Sequence, residues 1–193
     1  MRPALLMLIM LHSACGAARA KRNAEEPLAF PQYADLPCPA GTLHAGTPPP
    51  SGDEIFCMNN TSGAVIRQGP AIRYFPGGEI AERGQYEANF QSGEWTSWYR
   101  DGTVKRRDSW VRGKPDGLRA EFHENGQRRA EGRMRQGERD GLWSFFDEEG
   151  ARYLEGTYKN GAEDGTWREF AKDGTPVRER LYREGRMLRQ VEL

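Results

Sequence analysis

Gly141-Leu142-Trp143-Ser144-Phe145-Phe146 closed by Gly150, and Gly165-Thr166-Trp167-Arg168-Glu169-Phe170 closed by Gly174, are one pattern written twice, 24 residues apart. The pattern extends in both directions. Glycines fall at Gly69, Gly93, Gly117, Gly141 and Gly165, and a second series runs in phase at Gly78, Gly102, Gly126, Gly150 and Gly174. A third occupies Gly113, Gly137, Gly161 and Gly185. Rings line up at Tyr74, Trp98, Phe122, Phe146 and Phe170, and again at Tyr86, Trp110, Tyr158 and Tyr182, with Met134 in the remaining place. Columns held in register without an insertion mark a repeat architecture.

Each repeat reads as a β-hairpin. Glu94-Trp95-Thr96-Ser97-Trp98-Tyr99 is rich in strand formers. Arg100-Asp101-Gly102 follows, and Asp-Gly signals a tight hairpin because the turn needs positive φ. Thr103 to Val111 is the return strand, and a short turn through Gly113 leads to the next unit. Alternation sets Val104, Arg106, Asp108 and Trp110 on one face and Lys105, Arg107 and Ser109 on the other. The face with the ring column also carries Gly84, Gly132 and Gly156, where a bare glycine leaves room for a ring from a neighbouring strand. The opposite face carries Arg83, Arg107, Glu131, Glu155 and Glu179 as a solvated column. Trp95, Trp143 and Trp167 precede Trp98, Phe146 and Phe170 by three residues, a spacing that puts them on opposite faces unless a bulge intervenes.

The expected fold is therefore all-β, an elongated single-layer antiparallel array of five stacked hairpin repeats over residues 69–193. A lone hairpin is marginal in water, so neighbouring units must stabilise one another through ladders of rings. Residues 53–68 read as an N-terminal capping hairpin, with Ile55-Phe56-Cys57-Met58 and Ala64-Val65-Ile66 flanking its turn. Residues 21–52, with Pro27, Pro31, Pro37, Pro39 and Pro48-Pro49-Pro50, read as an irregular tether. At the far end Pro176 and Arg178-Glu179-Arg180 are expected to discourage further strand pairing.

Lys plus Arg and Asp plus Glu each number 28, and a zero net charge argues against nucleic acid as the partner. Charged residues make up 29% of the chain, but five Trp, seven Tyr and eight Phe are too many for a solvated tail. Met1-Arg2-Pro3 followed by the apolar run Ala4 to Leu11 reads as a secretory signal over residues 1–20, too short to span a membrane. Ala18-Arg19-Ala20 suits signal peptidase; alternatively His12-Ser13-Ala14-Cys15-Gly16 is a lipobox, with His12 off pattern, that would lipidate Cys15 and anchor the chain to a membrane. Either route implies an exported protein: periplasmic, an outer-membrane lipoprotein, or extracellular. Cys38 and Cys57 then form a disulfide pinning the cap, a constraint of about 3 kcal/mol in the chain-entropy model. No metal or cofactor site is expected, since only His44 lies near these cysteines and no Cys-x-x-Cys spacing occurs.

The unit Gly-x-Trp-x-x-aromatic with its downstream glycines resembles the MORN repeat, specifically the bacterial MORN-variant family. The repeat containing Gly117 departs from it, with Arg119 in the Trp column and Met134 in the ring column, and the first repeat has Ala71 for Trp. The resemblance implies a scaffold without catalytic residues of its own, whose members serve as dimerisation elements or protein-binding surfaces, sometimes linked to membranes or labelled antitoxin-like. His123 shares a column with Phe75 and Tyr99 and reads as a packing residue rather than a base. The expected function is a non-catalytic exported scaffold that binds a protein or envelope component. Trp95, Trp98, Tyr99, Trp143 and Trp167 are its candidate contact aromatics; alternatives are a lipid-anchored module and an antitoxin-like inhibitor of a dedicated partner.

Overall fold

A computed structural model describes residues 36–60 and 63–193. The signal stretch, Cys15 and the first part of the tether lie outside the described residues. The chain forms β1 (Leu43–Thr47), β2 (Glu54–Asn59), β3 (Ile66–Tyr74), β4 (Ile80–Glu87), β5 (Phe90–Trp98), β6 (Val104–Val111), β7 (Lys114–Phe122), β8 (Arg128–Arg135), β9 (Glu138–Phe146), β10 (Arg152–Lys159), β11 (Ala162–Phe170), β12 (Pro176–Arg183) and β13 (Arg186–Glu192). These make one 13-stranded sheet in sequence order, each strand antiparallel to the next, as the repeat pattern requires.

Two kinds of turn alternate along the array, where the sequence pattern reads both as short. The Asp-Gly loops are the wider ones. Gly102 N donates to Tyr99 O at 3.1 Å, Tyr99 N donates to Thr103 O at 2.8 Å, and only Gly102 carries positive φ. This is a type I turn closed by a left-handed glycine, with the Asp101 carboxylate accepting from Thr103 N at 2.8 Å. The two-residue turns with both φ positive lie between repeats, at Arg112-Gly113, Gln136-Gly137, Asn160-Gly161 and Glu184-Gly185. Asp-Gly satisfies either turn, because both need a left-handed glycine.

Each tight turn hooks onto the repeat before it. Gly113, Gly137, Gly161 and Gly185 donate their N–H to the carbonyls of Gln91, Pro115, Arg139 and Glu163, at 2.8–2.9 Å. The wide loops hook forward: the Tyr99 hydroxyl donates to Phe122 O at 2.8 Å, and His123 Nε2 lies 2.9 Å from Phe146 O. A carbonyl only accepts, so His123 Nε2 carries the proton and repeats the role of Tyr99 one unit later. The coupling the fold needs is thus built into both margins of the sheet.

The cap differs from expectation in one respect. Residues 43–47, inside the stretch read as irregular, form β1 and pair with β2 from Leu43↔Met58 to Thr47↔Glu54. The prolines follow this strand at 48–50 and do not interrupt it. The Cys38–Cys57 disulfide forms, with its Cα atoms 5.4 Å apart, and lays Leu36 on Ile55, Ile72 and Tyr74. At the other end Pro176 and its charged neighbours do not stop pairing: β13 adds to β12 from Arg178↔Glu192 to Arg183↔Arg186. The Gly185 turn carries the chain across, and Arg178 pairs with both Glu169 and Glu192 at 2.6 Å, so charge bridges the three strands instead of capping them. Among the described residues no helix is long and apolar enough to cross a membrane.

Candidate binding surface

The three-residue spacing of the tryptophans is resolved as opposite faces. Trp95, Trp143 and Trp167 are buried on the glycine-paved face. Gly84 has no room for a side chain: an added Cβ would stand 2.1 Å from Trp95, and at Gly132 and Gly156 it would stand 2.4 and 2.0 Å from Trp143 and Trp167. The register slips beside each of these glycines, between Arg83 and Gln85, Gly132 and Arg133, and Glu155 and Thr157. Each slip takes a carbonyl out of the ladder, and the indole N–H supplies its partner. Trp95, Trp143 and Trp167 donate to Gln85 O, Arg133 O and Thr157 O at 3.1, 3.0 and 3.2 Å. The glycine, the slip and the tryptophan form one device, and rings from the Tyr column close it edge-on: Tyr86 at 5.2 Å from Trp95 and Tyr158 at 4.9 Å from Trp167.

Between β6 and β7 the same position holds different chemistry. Asp108 stands in the glycine column and Arg119 in the tryptophan column, directly across from each other. Asp108 is 3% exposed. Arg119 Nε donates to one of its carboxylate oxygens, and Arg106 Nε lies 2.5 Å from the other. Nearby, burial pushes the Glu82 carboxyl above its ordinary range, against the opposing effect of Arg73 at 3.1 Å.

The second face is the more open one. A continuous cross-strand row runs over it: Ile72, Arg83, Thr96, Arg107, Ala120, Glu131, Ser144, Glu155, Arg168 and Glu179, each opposite the next. The solvated column is therefore half of a row whose other half is short in the middle of the array, at Thr96, Ala120 and Ser144. Shallow clefts result. One of about 460 Å³ is lined by Pro70, Arg83, Gln85, Glu94, Thr96 and Trp98. Its counterpart two repeats on, about 360 Å³, includes Leu118, Ala120, Arg128, Glu131, Leu142 and Ser144. Leu118 is 76% exposed and Leu142 59%.

The five candidate contact aromatics accordingly divide. Trp95, Trp143 and Trp167 are withdrawn as contact residues, because the glycine pocket and the displaced carbonyl hold them inside the sheet. Trp98 lines the larger cleft and stays half-buried, as does Tyr99 at the loop margin. Leu118 and Leu142, exposed beside the second cleft, were not among the candidates; the signal was a leucine in a column whose other members are Pro70, Glu94 and Thr166. Among the described residues no group of three or more His, Cys, Asp or Glu side chains is placed to hold a metal ion.

Comparison with known proteins finds the repeat itself. A family model described as the MORN repeat variant matches residues 139–160, the hairpin of β9 and β10. None of the curated proteins matches the chain. Among solved structures, one similar chain belongs to the Glycosylation Associate Protein (Gap123) complex from Streptococcus agalactiae, at 13% identity and a TM-score of 0.35, covering 63% of this chain and 22% of that one. Another belongs to the GtfA/B complex bound to UDP and GlcNAc, at 8% identity and a TM-score of 0.23, covering 89% of this chain and 28% of that one. The chain thus spans about a quarter of the length of these solved chains. Residues 139–160 thus match a MORN repeat unit, and hairpins of the same kind continue the sheet on both sides of it.

Proposed function

We propose that the protein is an exported, non-catalytic scaffold that binds a protein or envelope component through the face opposite the buried tryptophans. One observation carries the reading: among the described residues nothing covers this face beyond the cap, and it exposes Leu118 and Leu142 on alternate strands beside the cleft they line. Large exposed leucines rimmed by polar groups are characteristic of contact surfaces. The Cys38–Cys57 disulfide supports an oxidising compartment. Asp101, Asp147 and Asp173 cap turns, Glu131, Glu155 and Glu179 follow a solvated row, and the buried Asp108 and Glu121 are paired with arginines, which supports binding over catalysis.

The test is a pull-down from envelope and extracellular fractions with the mature chain, followed by identification and a reciprocal binding assay. The wild type should retain one component in a fixed ratio. Leu118→Glu/Leu142→Glu should lose it while melting like wild type. Equal recovery by both chains would refute this choice of face.

A further inference from the structure

The cross-strand row on the open face changes character along the array. In its second half the long side chains are Glu131, Glu155 and Glu179, each neutralised by an arginine: Arg128, Arg152 and, at 2.7 Å, Arg168. In its first half the same positions are Arg83 and Arg107, and both are exposed. Among the described residues neither forms an ion pair, and Arg107 meets only the Phe122 ring, 6.0 Å from its centroid. Both face Thr96, one from each side. Their backbones therefore stand two strand spacings apart, roughly 10 Å. Arg83 also lines the cleft of about 460 Å³ that Trp98, Gln85 and Glu94 share.

From this juxtaposition we propose that the first two repeats bind an acidic oligosaccharide. Two uncompensated guanidiniums on one row select a ligand with two anionic groups, since each offers paired N–H donors to a carboxylate or phosphate. With backbones roughly 10 Å apart, the two side chains can hold charges on different sugar residues. The cleft beside Arg83, with Arg107 on the next strand across from Thr96, is shallow and open, with an indole wall for a sugar ring and the hydroxyl, amide and carboxylate of Thr96, Gln85 and Glu94 for its hydroxyls. A nucleic-acid backbone would need the basic run to continue, and the row turns acidic at Glu131. The inference rests on the scaffold reading and gives the open face a ligand class and a place.

The test is calorimetric titration of the full mature chain at low salt with three probes: a galacturonate hexamer, a neutral β-1,4-linked glucose hexamer and a hexaglutamate peptide. The galacturonate hexamer should bind, the other two at least about tenfold more weakly, a difference of about 1.4 kcal/mol. Arg83→Glu/Arg107→Glu should weaken galacturonate binding by about tenfold or more with an unchanged melting temperature, both side chains being exposed. Arg83→Lys/Arg107→Lys should recover part of it. No galacturonate binding, equal binding of the neutral hexamer or the peptide, or indifference to charge reversal would each overturn the proposal. A partner lost on Leu118→Glu/Leu142→Glu but retained on Arg83→Glu/Arg107→Glu would leave the scaffold reading in place and remove only this one.

Discussion

The strand pairs β8–β9 and β6–β7 occupy equivalent places in the array and fill them with opposite chemistry. In the first, Trp143 is fully buried over Gly132 and its indole N–H takes up the Arg133 carbonyl. In the second, the buried place holds an Asp108 carboxylate between Arg106 and Arg119. Both arrangements fit the same backbone, including a register slip, here between Asp108 and Trp110. The comparison teaches that the repeat specifies a filled and hydrogen-bonded pocket rather than a particular residue. The energetics should differ all the same. A ring over glycine gains from burial without needing a partner charge, whereas a buried ion group offsets desolvation only while every member is present.

The largest expected effect is at the ring. Trp143→Ala should destabilise by about 3–5 kcal/mol, read from urea denaturation, because it removes the largest fully buried side chain among the described residues and leaves the Arg133 carbonyl without its donor. Arg119→Ala should cost a comparable amount, about 3–5 kcal/mol, by leaving Asp108 buried beside Arg106 alone. If it instead behaves like a surface change, within about 0.5 kcal/mol, the ion group is not what fills the pocket. Gly156→Ala should cost about 1–3 kcal/mol through overpacking against Trp167, and a thermal melt should show it; the same change at a site of negative φ with open space above would not. The smallest effect concerns Glu82, whose carboxyl is held above its ordinary range chiefly by burial. A carboxyl raised in the folded state contributes most below its unfolded value and loses that contribution as pH rises through the folded one. Glu82→Gln should therefore raise the melting temperature near neutral pH and leave it unchanged in acid below the ordinary carboxylate range. A gain that is the same at both would assign the effect to something other than ionisation.

What was legible in the sequence followed from periodicity. The 24-residue step placed the hairpins, and the bare Gly84, Gly132 and Gly156 announced that rings lie over them. Which rings do so was not legible, because the three-residue offset between Trp95 and Trp98 has two readings until the strand register is known. That offset also hid the fact that three of the candidate contact aromatics, Trp95, Trp143 and Trp167, are buried. β1 was hidden by the prolines on either side of it, and β13 by the lack of a sixth Gly-x-Trp unit, although Gly185 had already marked its turn. The Asp108–Arg119 pairing was invisible for a different reason: two polar residues eleven apart resemble solvated surface until the sheet sets them face to face.

The most direct test of the central claim is the coupling between those two positions. Asp108→Gly, Arg119→Trp and the double variant should be compared by urea denaturation with the wild type. If the repeat requires a filled pocket of either kind, each single change is destabilising, since one leaves two half-buried arginines without their carboxylate and the other forces an indole against a side chain. The double variant should then match the wild type or exceed it by about 1–4 kcal/mol. A double variant as unstable as the two single losses added together would contradict the account.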